Sequence, residues 1–199
     1  MKIRLLVAGI GVLLCTNMVM AADAPKKEMS AEEKAGMEAW MKAATPGTEH
    51  KGLMSMVGTW DAKVRIWPAP GAPAMESAGT SVNTSVLGGR WIQQTFSGTF
   101  MGMPFNGIGY TGYDNIQKAY VGSWMDSSST SMMTSISTAA DGKTITYSST
   151  MQDPMTGKAA TGTTRITMVD ADHTNMEMWG AGPDGKMYKS MEIMYSRKK

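Results

Sequence analysis

Leu87–Asp126 reads LGGRWIQQTFSGTFMGMPFNGIGYTGYDNIQKAYVGSWMD, and this stretch decides the fold. Arg90–Phe100 alternates apolar with polar residues, Met101-Gly102-Met103-Pro104 interrupts it, and Phe105–Tyr113 opens a second run that Asp114-Asn115 closes before Lys118–Asp126. Three extended segments with turn residues between them predict an antiparallel meander. Gly98, Gly107, Gly109, Gly112 and Gly122 lie inside the runs. Glycine weakens a flat strand but suits a sheet that must bend on itself, so the meander reads as part of a barrel.

The same period extends in both directions. Upstream, Trp60, Ala62, Val64 and Ile66 fall on one face and Asp61, Lys63 and Arg65 on the other, the pattern of a half-buried antiparallel strand. Pro68–Pro73 then makes a loop, and Ser77–Leu87 leads into the meander. Downstream, the pattern predicts strands at Ser131–Thr138, Lys143–Gln152, Ala160–Val169, Thr174–Trp179 and Lys186–Arg197. Turn residues separate them at Asp141-Gly142, Asp153-Pro154 with Thr156-Gly157, Asp170-Ala171-Asp172 and Pro183-Asp184-Gly185. The fold expected is mainly β: about ten antiparallel strands with no helix between them, an up-and-down barrel able to enclose a small ligand. A two-sheet β-sandwich is the alternative.

Residues 58–199 form the predicted barrel, and 30–57 a helical segment before it. Ser30-Ala31-Glu32-Glu33 has the form of a capping box, in which hydroxyl and carboxylate each take an orphan N–H of the first helical turn. Met37, Trp40, Met41 and Ala44 recur at helical spacing, and Pro46-Gly47 stops the helix. Their apolar stripe is expected to lie on the barrel, across its mouth, as a lid or a fixed plug. Glu49–Met56 predicts a further helical turn that buries Leu53.

Met1–Ala22 has the charged, apolar and small-residue order of a secretory signal, with cleavage after Ala21 or Ala22 and a disordered leader at 23–29. This predicts a periplasmic or secreted protein. Cys15, the one cysteine, lies within that signal behind Leu14, which argues against a lipid anchor and leaves a mature chain without thiols or disulfides. No later apolar run has the length of a membrane helix, so no integral membrane segment is expected after signal removal. The 19 basic residues include Lys2 and Arg4, so the mature chain balances 17 basic against 17 acidic residues. No basic tract interleaved with aromatics is present, which excludes a nucleic-acid partner. Methionine is the compositional anomaly, at 22 residues against three phenylalanines.

Gly58-Thr59-Trp60 after a short helix resembles the Gly-x-Trp signature that opens the first strand of calycin barrels, the superfamily of lipocalins and fatty-acid-binding proteins. Taken with His50, Leu53, Leu87-Gly88-Gly89-Arg90-Trp91, Met103-Pro104-Phe105, Gly112-Tyr113-Asp114 and Trp124-Met125-Asp126-Ser127, the chain is similar from about His50 to Arg197 to the bacterial domain-of-unknown-function 1579 family, a lipocalin-like group. The resemblance implies a closed barrel with a pocket and no particular reaction. It also implies that a basic residue near the last strand packs over the signature tryptophan, a part that falls to Arg197 against Trp60. Haem-binding relatives within the calycins use a histidine near the C-terminal strands, and His173 is the residue of that kind here.

Candidate chemistry centres on Arg90, Trp124 and Asp126. Tyr120, Trp124 and Asp126 share strand parity and point to one face, with Arg90 at the mouth of the neighbouring hairpin. An arginine and an aspartate inside a barrel would orient the polar head of a ligand, with Trp60, Trp91, Trp124 and methionines lining or supporting its apolar body. The competing reading is a structural ion pair beneath a tryptophan. Met54-x-Met56, Met101-x-Met103 and Met176-x-Met178 each put two thioethers on one side of an extended chain, and thioethers select Cu(I) and Ag(I); core filling is the plainer use of the same residues. An isomerase or lyase with Asp126 as base is a third reading. No Gly-x-Ser-x-Gly elbow and no two-histidine metal spacing occurs. The function expected is thus an exported binder of a small apolar molecule without a resident cofactor, with haem and Cu(I) as alternatives.

Overall fold

The computed structural model describes residues 28–153 and 156–199. The signal segment, most of the leader and Pro154 of the predicted turn lie outside the described residues. The chain divides between Met37 and Glu38 into two compact units.

Of the first unit, the start of helix α1 (Ala31–Ala44) is described. The capping box is present, with the Ser30 N–H donating to Glu33 Oε2 at 2.7 Å and the Glu33 N–H donating to Ser30 Oγ at 3.1 Å. No residue of α1 is buried. The predicted apolar stripe is therefore not a buried one: Trp40 and Met41, both in the second unit, are 73% and 61% exposed.

The second unit contains the rest of the chain. After α1 come α2 (Thr48–Leu53) and a single 3₁₀ turn, Met54–Met56, followed by ten strands. These are β1 (Gly58–Ile66), β2 (Met75–Val86), β3 (Trp91–Phe100), β4 (Met103–Asp114), β5 (Ala119–Asp126), β6 (Met133–Ala140), β7 (Thr144–Gln152), β8 (Ala159–Met168), β9 (His173–Ala181) and β10 (Met187–Arg197). Every strand pairs antiparallel with its sequence neighbours, and β1 pairs with β10, so the sheet closes as an up-and-down barrel. Closure excludes the sandwich. The break expected over Met101–Pro104 is tighter than the sequence suggested. Only Met101 and Gly102 turn, both at positive φ, and Met103 and Pro104 already pair with Phe100 and Thr99.

Register determines which side chains meet. Val64, Ile193, Met176, Ile166 and Ile145 stand opposite one another in turn across β1, β10, β9, β8 and β7, forming one interior row. Val64 and Ile193 of this row, with Ala62 and Phe96, form the core cluster. Val64, Phe96 and Ile193, fully buried, each contribute about 1.5–3 kcal/mol relative to exposure. Because barrel strands tilt, rows climb as they go round. The row that starts at Trp60 passes Ser81, Phe96 and Gly107 and ends at Asp126.

One end of the barrel is filled. Leu53 and His50 of α2, and Trp60 at the start of β1, are 3%, 4% and 4% exposed. The Gly-x-Trp signature has a local cause. Gly58 adopts φ +133°, and a Cβ there would lie 2.6 Å from Arg197 Nη1. Arg197 lies 4.1 Å over the Trp60 ring, as the calycin resemblance implies. Its guanidinium also donates to the Val57 and Ser55 carbonyls at 2.7 Å each, and to Ala171 at 3.1 Å, tying the helical approach to the last strand.

Candidate functional site

The opposite end holds a cavity of about 330 Å³. Its wall is apolar: Val64, Ile66, Phe96, Phe100, Phe105, Ile166 and Ile193, with Met133, Met151, Met176, Met178 and Met191. Met178 and Met191 face each other directly across β9 and β10. Long unbranched thioethers fill irregular space without fixing it, which suits a wall that must adapt to an occupant.

At the inner end of the cavity, Gln94 and Tyr195 supply polar groups. Gln94 Nε2 donates to Ser81 Oγ at 2.7 Å, and Ser81 in turn donates to Asn83 Oδ1 at 3.1 Å. Burial pushes the Tyr195 hydroxyl up to about 12, with the hydrogen bond to Gln94 pulling the other way. Burial also raises the Tyr147 hydroxyl, and Tyr147 lines the same cavity. Both are therefore neutral hydroxyls throughout the physiological range. A second chain of hydroxyls, Ser135 to Ser149 to Thr164 at 2.9 Å each, runs through the wall of β6, β7 and β8.

At the mouth, Trp124 and Asp126 act as a unit. Trp124 Nε1 donates to Asp126 Oδ2 at 2.8 Å, while Asp126 Oδ1 accepts the Ser128 N–H at 2.9 Å and its hydroxyl at 2.5 Å. The carboxylate thus pins both the indole and the start of the β5–β6 loop, whose Ser128, Ser129 and Ser131 also line the cavity. The indole lies flat on β4 because β4 has no side chain beneath it. A Cβ on Gly109 would come within 2.8 Å of Trp124 Cε3 and 2.9 Å of the Ser123 carbonyl, and one on Gly107 would overlap the ring. Two of the glycines read as bending points are seats for an aromatic ring.

The structure separates the residues that the sequence grouped. Trp124 and Asp126 line the cavity. Arg90 does not join them: it lies on the surface at the other end of β3, where its Nε and Nη2 donate to the Ala44 carbonyl at 3.1 and 2.7 Å. Asn115 Nδ2 similarly donates to the Ala43 and Thr45 carbonyls at 3.0 and 2.8 Å. Both complete the carbonyls that α1 leaves unpaired at its C-terminus. This attachment is at the filled end, so the C-terminal end of α1 is remote from the mouth it was expected to cross.

Trp60 belongs to the filled end, with Nε1 donating to the Met56 carbonyl at 2.9 Å. Tyr120 is there too, edge-on to Tyr113 at 5.0 Å between ring centroids, and burial raises its hydroxyl. Trp91 pairs with Gly112, whose missing Cβ leaves room for the Trp91 ring at 2.7 Å, and it is not among the cavity residues. Met176 and Met178 line the cavity, whereas Met101 and Met103 are 66% and 62% exposed at the β3–β4 turn. His173 is exposed and faces Asp170 at 2.9 Å. His50 is buried and accepts the Gly47 N–H at 3.0 Å.

Phe96, Phe105, Gln94, Met133, Met191 and Tyr195 line the cavity without having been singled out from the sequence. Strand parity would have placed each of them inside. Parity does not tell which inward residues reach the cavity and which reach the filled end; that depends on tilt. Among the described residues, no group of three histidine, cysteine, aspartate or glutamate side chains is arranged to hold a metal ion.

Comparison with known proteins adds a family and a fold. Residues 45–197 match the model of a family described as "Protein of unknown function (DUF1579)". No curated protein matches the chain. Among solved structures, the chain is similar to Rv2717c from M. tuberculosis, at 14% identity and a TM-score of 0.57, over 78% of this chain and 100% of that one. That likeness is one of fold. A redesigned beta barrel is similar at 13% identity and a TM-score of 0.40, over 74% of this chain and 96% of that one.

Proposed function

Since the chain belongs to the DUF1579 family and closes as a barrel around an apolar cavity, we propose that it is an exported protein that holds a small, largely apolar molecule inside that barrel. One observation carries the reading. The space of about 330 Å³ presents mainly apolar surface from thioethers, aromatic rings and aliphatic side chains, with hydroxyls along its wall, Gln94 and Tyr195 at its inner end and Asp126 at its mouth. Ligand pockets of about 300–1,000 Å³ have this composition, apolar area for affinity and sparse polar groups for orientation. Export rests on the order of residues in Met1–Ala22.

The Trp124 indole, lying on the cavity wall, is a built-in reporter. Titration with small neutral aromatics and alcohols is expected to give a saturable fluorescence change in the wild type. Met178→Trp, which fills the space from β9, is expected to abolish binding measured by calorimetry while leaving the far-ultraviolet spectrum intact. Absence of saturation with every probe, in a protein that folds, ends this reading. N-terminal sequencing of the cell-produced protein tests export, with a start at Ala22 or Asp23 expected.

A soft-metal reading has one specific observation in its favour: Met176, Met178 and Met191 share one wall, two of them directly opposed. Three convergent thioethers suit Cu(I) or Ag(I). Native mass spectrometry with Ag(I) would then give one ion per chain, lost in Met178→Leu and retained in Met101→Leu.

A further inference from the structure

The cavity has a single charge. Among the described residues that line it, Asp126 is the one acidic side chain, and no lysine, arginine or histidine is present. The arginine that the sequence offered as its partner, Arg90, is bound to the Ala44 carbonyl on the outside. Asp126 takes part in no ion pair among the described residues. Tyr195 and Tyr147 do not add to the negative charge, because burial favours their neutral form.

Its lone pairs are not all occupied. Oδ1 accepts both the Ser128 N–H and the Ser128 hydroxyl, which fills it, whereas among the described residues Oδ2 accepts the Trp124 indole N–H alone. A carboxylate oxygen has two acceptor sites, so one on Oδ2 is left for a donor. The Trp124 ring, whose edge meets Oδ2, and the Phe105 ring line the same cavity. Aromatic faces attract cations through the same electrostatics. Serine hydroxyls from the β5–β6 loop surround the opening and can solvate a charged head.

We propose that this cavity selects molecules with a cationic head on an apolar body, amines or quaternary ammonium compounds, and discriminates against carboxylates. The body lies against the methionine and phenylalanine wall, and the head sits at the mouth against Asp126 and Trp124. The proposal rests on the cavity-binding reading and deepens it. It also separates this barrel from a binder of fatty-acid anions, because an anionic head would meet a like charge with no cation beside it.

The test uses three probes of equal body, 4-phenylbutylamine, 4-phenylbutanol and 4-phenylbutanoate, titrated calorimetrically into the full mature chain at neutral pH. The amine is expected to bind tightest and the carboxylate weakest, separated by roughly fivefold or more. Asp126→Asn is expected to bring the amine within about twofold of the alcohol. Should that variant fail to fold, the wild type gives the same answer through salt: the amine's advantage is expected to shrink as ionic strength rises and the alcohol's affinity to stay constant.

Equal affinity for all three probes overturns the cationic-head proposal and leaves cavity binding standing, as does preference for the carboxylate or an unchanged amine advantage in Asp126→Asn. Binding by none of the three, with Met178→Trp indistinguishable from wild type, overturns both.

Discussion

Trp124 and Asp126 show how a few residues shape the mouth of this barrel. The indole is held by one hydrogen bond to the carboxylate and by the absence of side chains at Gly107 and Gly109. Gly109→Ala puts a methyl against both the ring and the Ser123 carbonyl, and backbone cannot move aside cheaply. We expect a loss of about 1–3 kcal/mol in urea unfolding together with a shifted tryptophan emission maximum. Tyr195 makes a pH-dependent contribution. Its folded value of about 12 exceeds the ordinary 10.0, so the fold favours the protonated hydroxyl. That stabilisation is fully present below pH 10.0 and is lost as pH rises through about 12. Tyr147 acts in the same direction. Unfolding midpoints should therefore fall steeply in that alkaline window, and Tyr195→Phe should flatten part of the fall; an unchanged slope would remove the buried-hydroxyl explanation.

Among the elements, the seam between β5 and β6 is the weakest stretch of the sheet. Pairing there extends only over Val121–Trp124, whereas β1 pairs with β2 along its whole length, Gly58–Ile66. The seam adjoins the β5–β6 loop at the cavity mouth, so opening for entry should start there. Hydrogen exchange is expected to be fastest in β5 and β6 among the strands and to slow there when a ligand fills the cavity. The filled end behaves in the opposite way. Arg197 bonds three carbonyls and covers Trp60, so Arg197→Ala leaves those carbonyls without their donor. A loss of roughly 2–4 kcal/mol is expected, measured by chemical denaturation, with the cavity affinity of the surviving folded protein unchanged.

At the scale of the whole molecule, the barrel divides its interior between support and cavity. Trp60, Leu53 and Ile92 are almost wholly buried at the filled end, and the methionines gather around the space at the other. The sequence's methionine excess thus has two destinations. Met133, Met176, Met178 and Met191 line the cavity without being exposed, while Met37, Met41, Met101, Met103, Met132 and Met187, and also Met151 at the cavity's edge, are exposed. Mild peroxide should oxidise the second set first. With a ligand bound, Met176, Met178 and Met191 should be protected in peptide mass spectrometry, and equal oxidation with and without ligand would argue against an occupied cavity.

Local chemistry carried most of the architecture: the period-two alternation, the turn residues and the Ser30–Glu33 capping box each act within a few residues, so strands, hairpins and the start of α1 were legible from the chain alone. The Gly58-Thr59-Trp60 triplet marked the opening of the first strand, and its glycine and tryptophan both answer to Arg197. The site was legible only in part. Alternation placed Trp124 and Asp126 on one face, but it could not show that Arg90 caps a helix outside, or that Trp60 and Asp126 begin and end one climbing row at opposite ends of the barrel. Those facts follow from strand tilt and closure, which are set by the pairing of β1 with β10 and by no local run of residues.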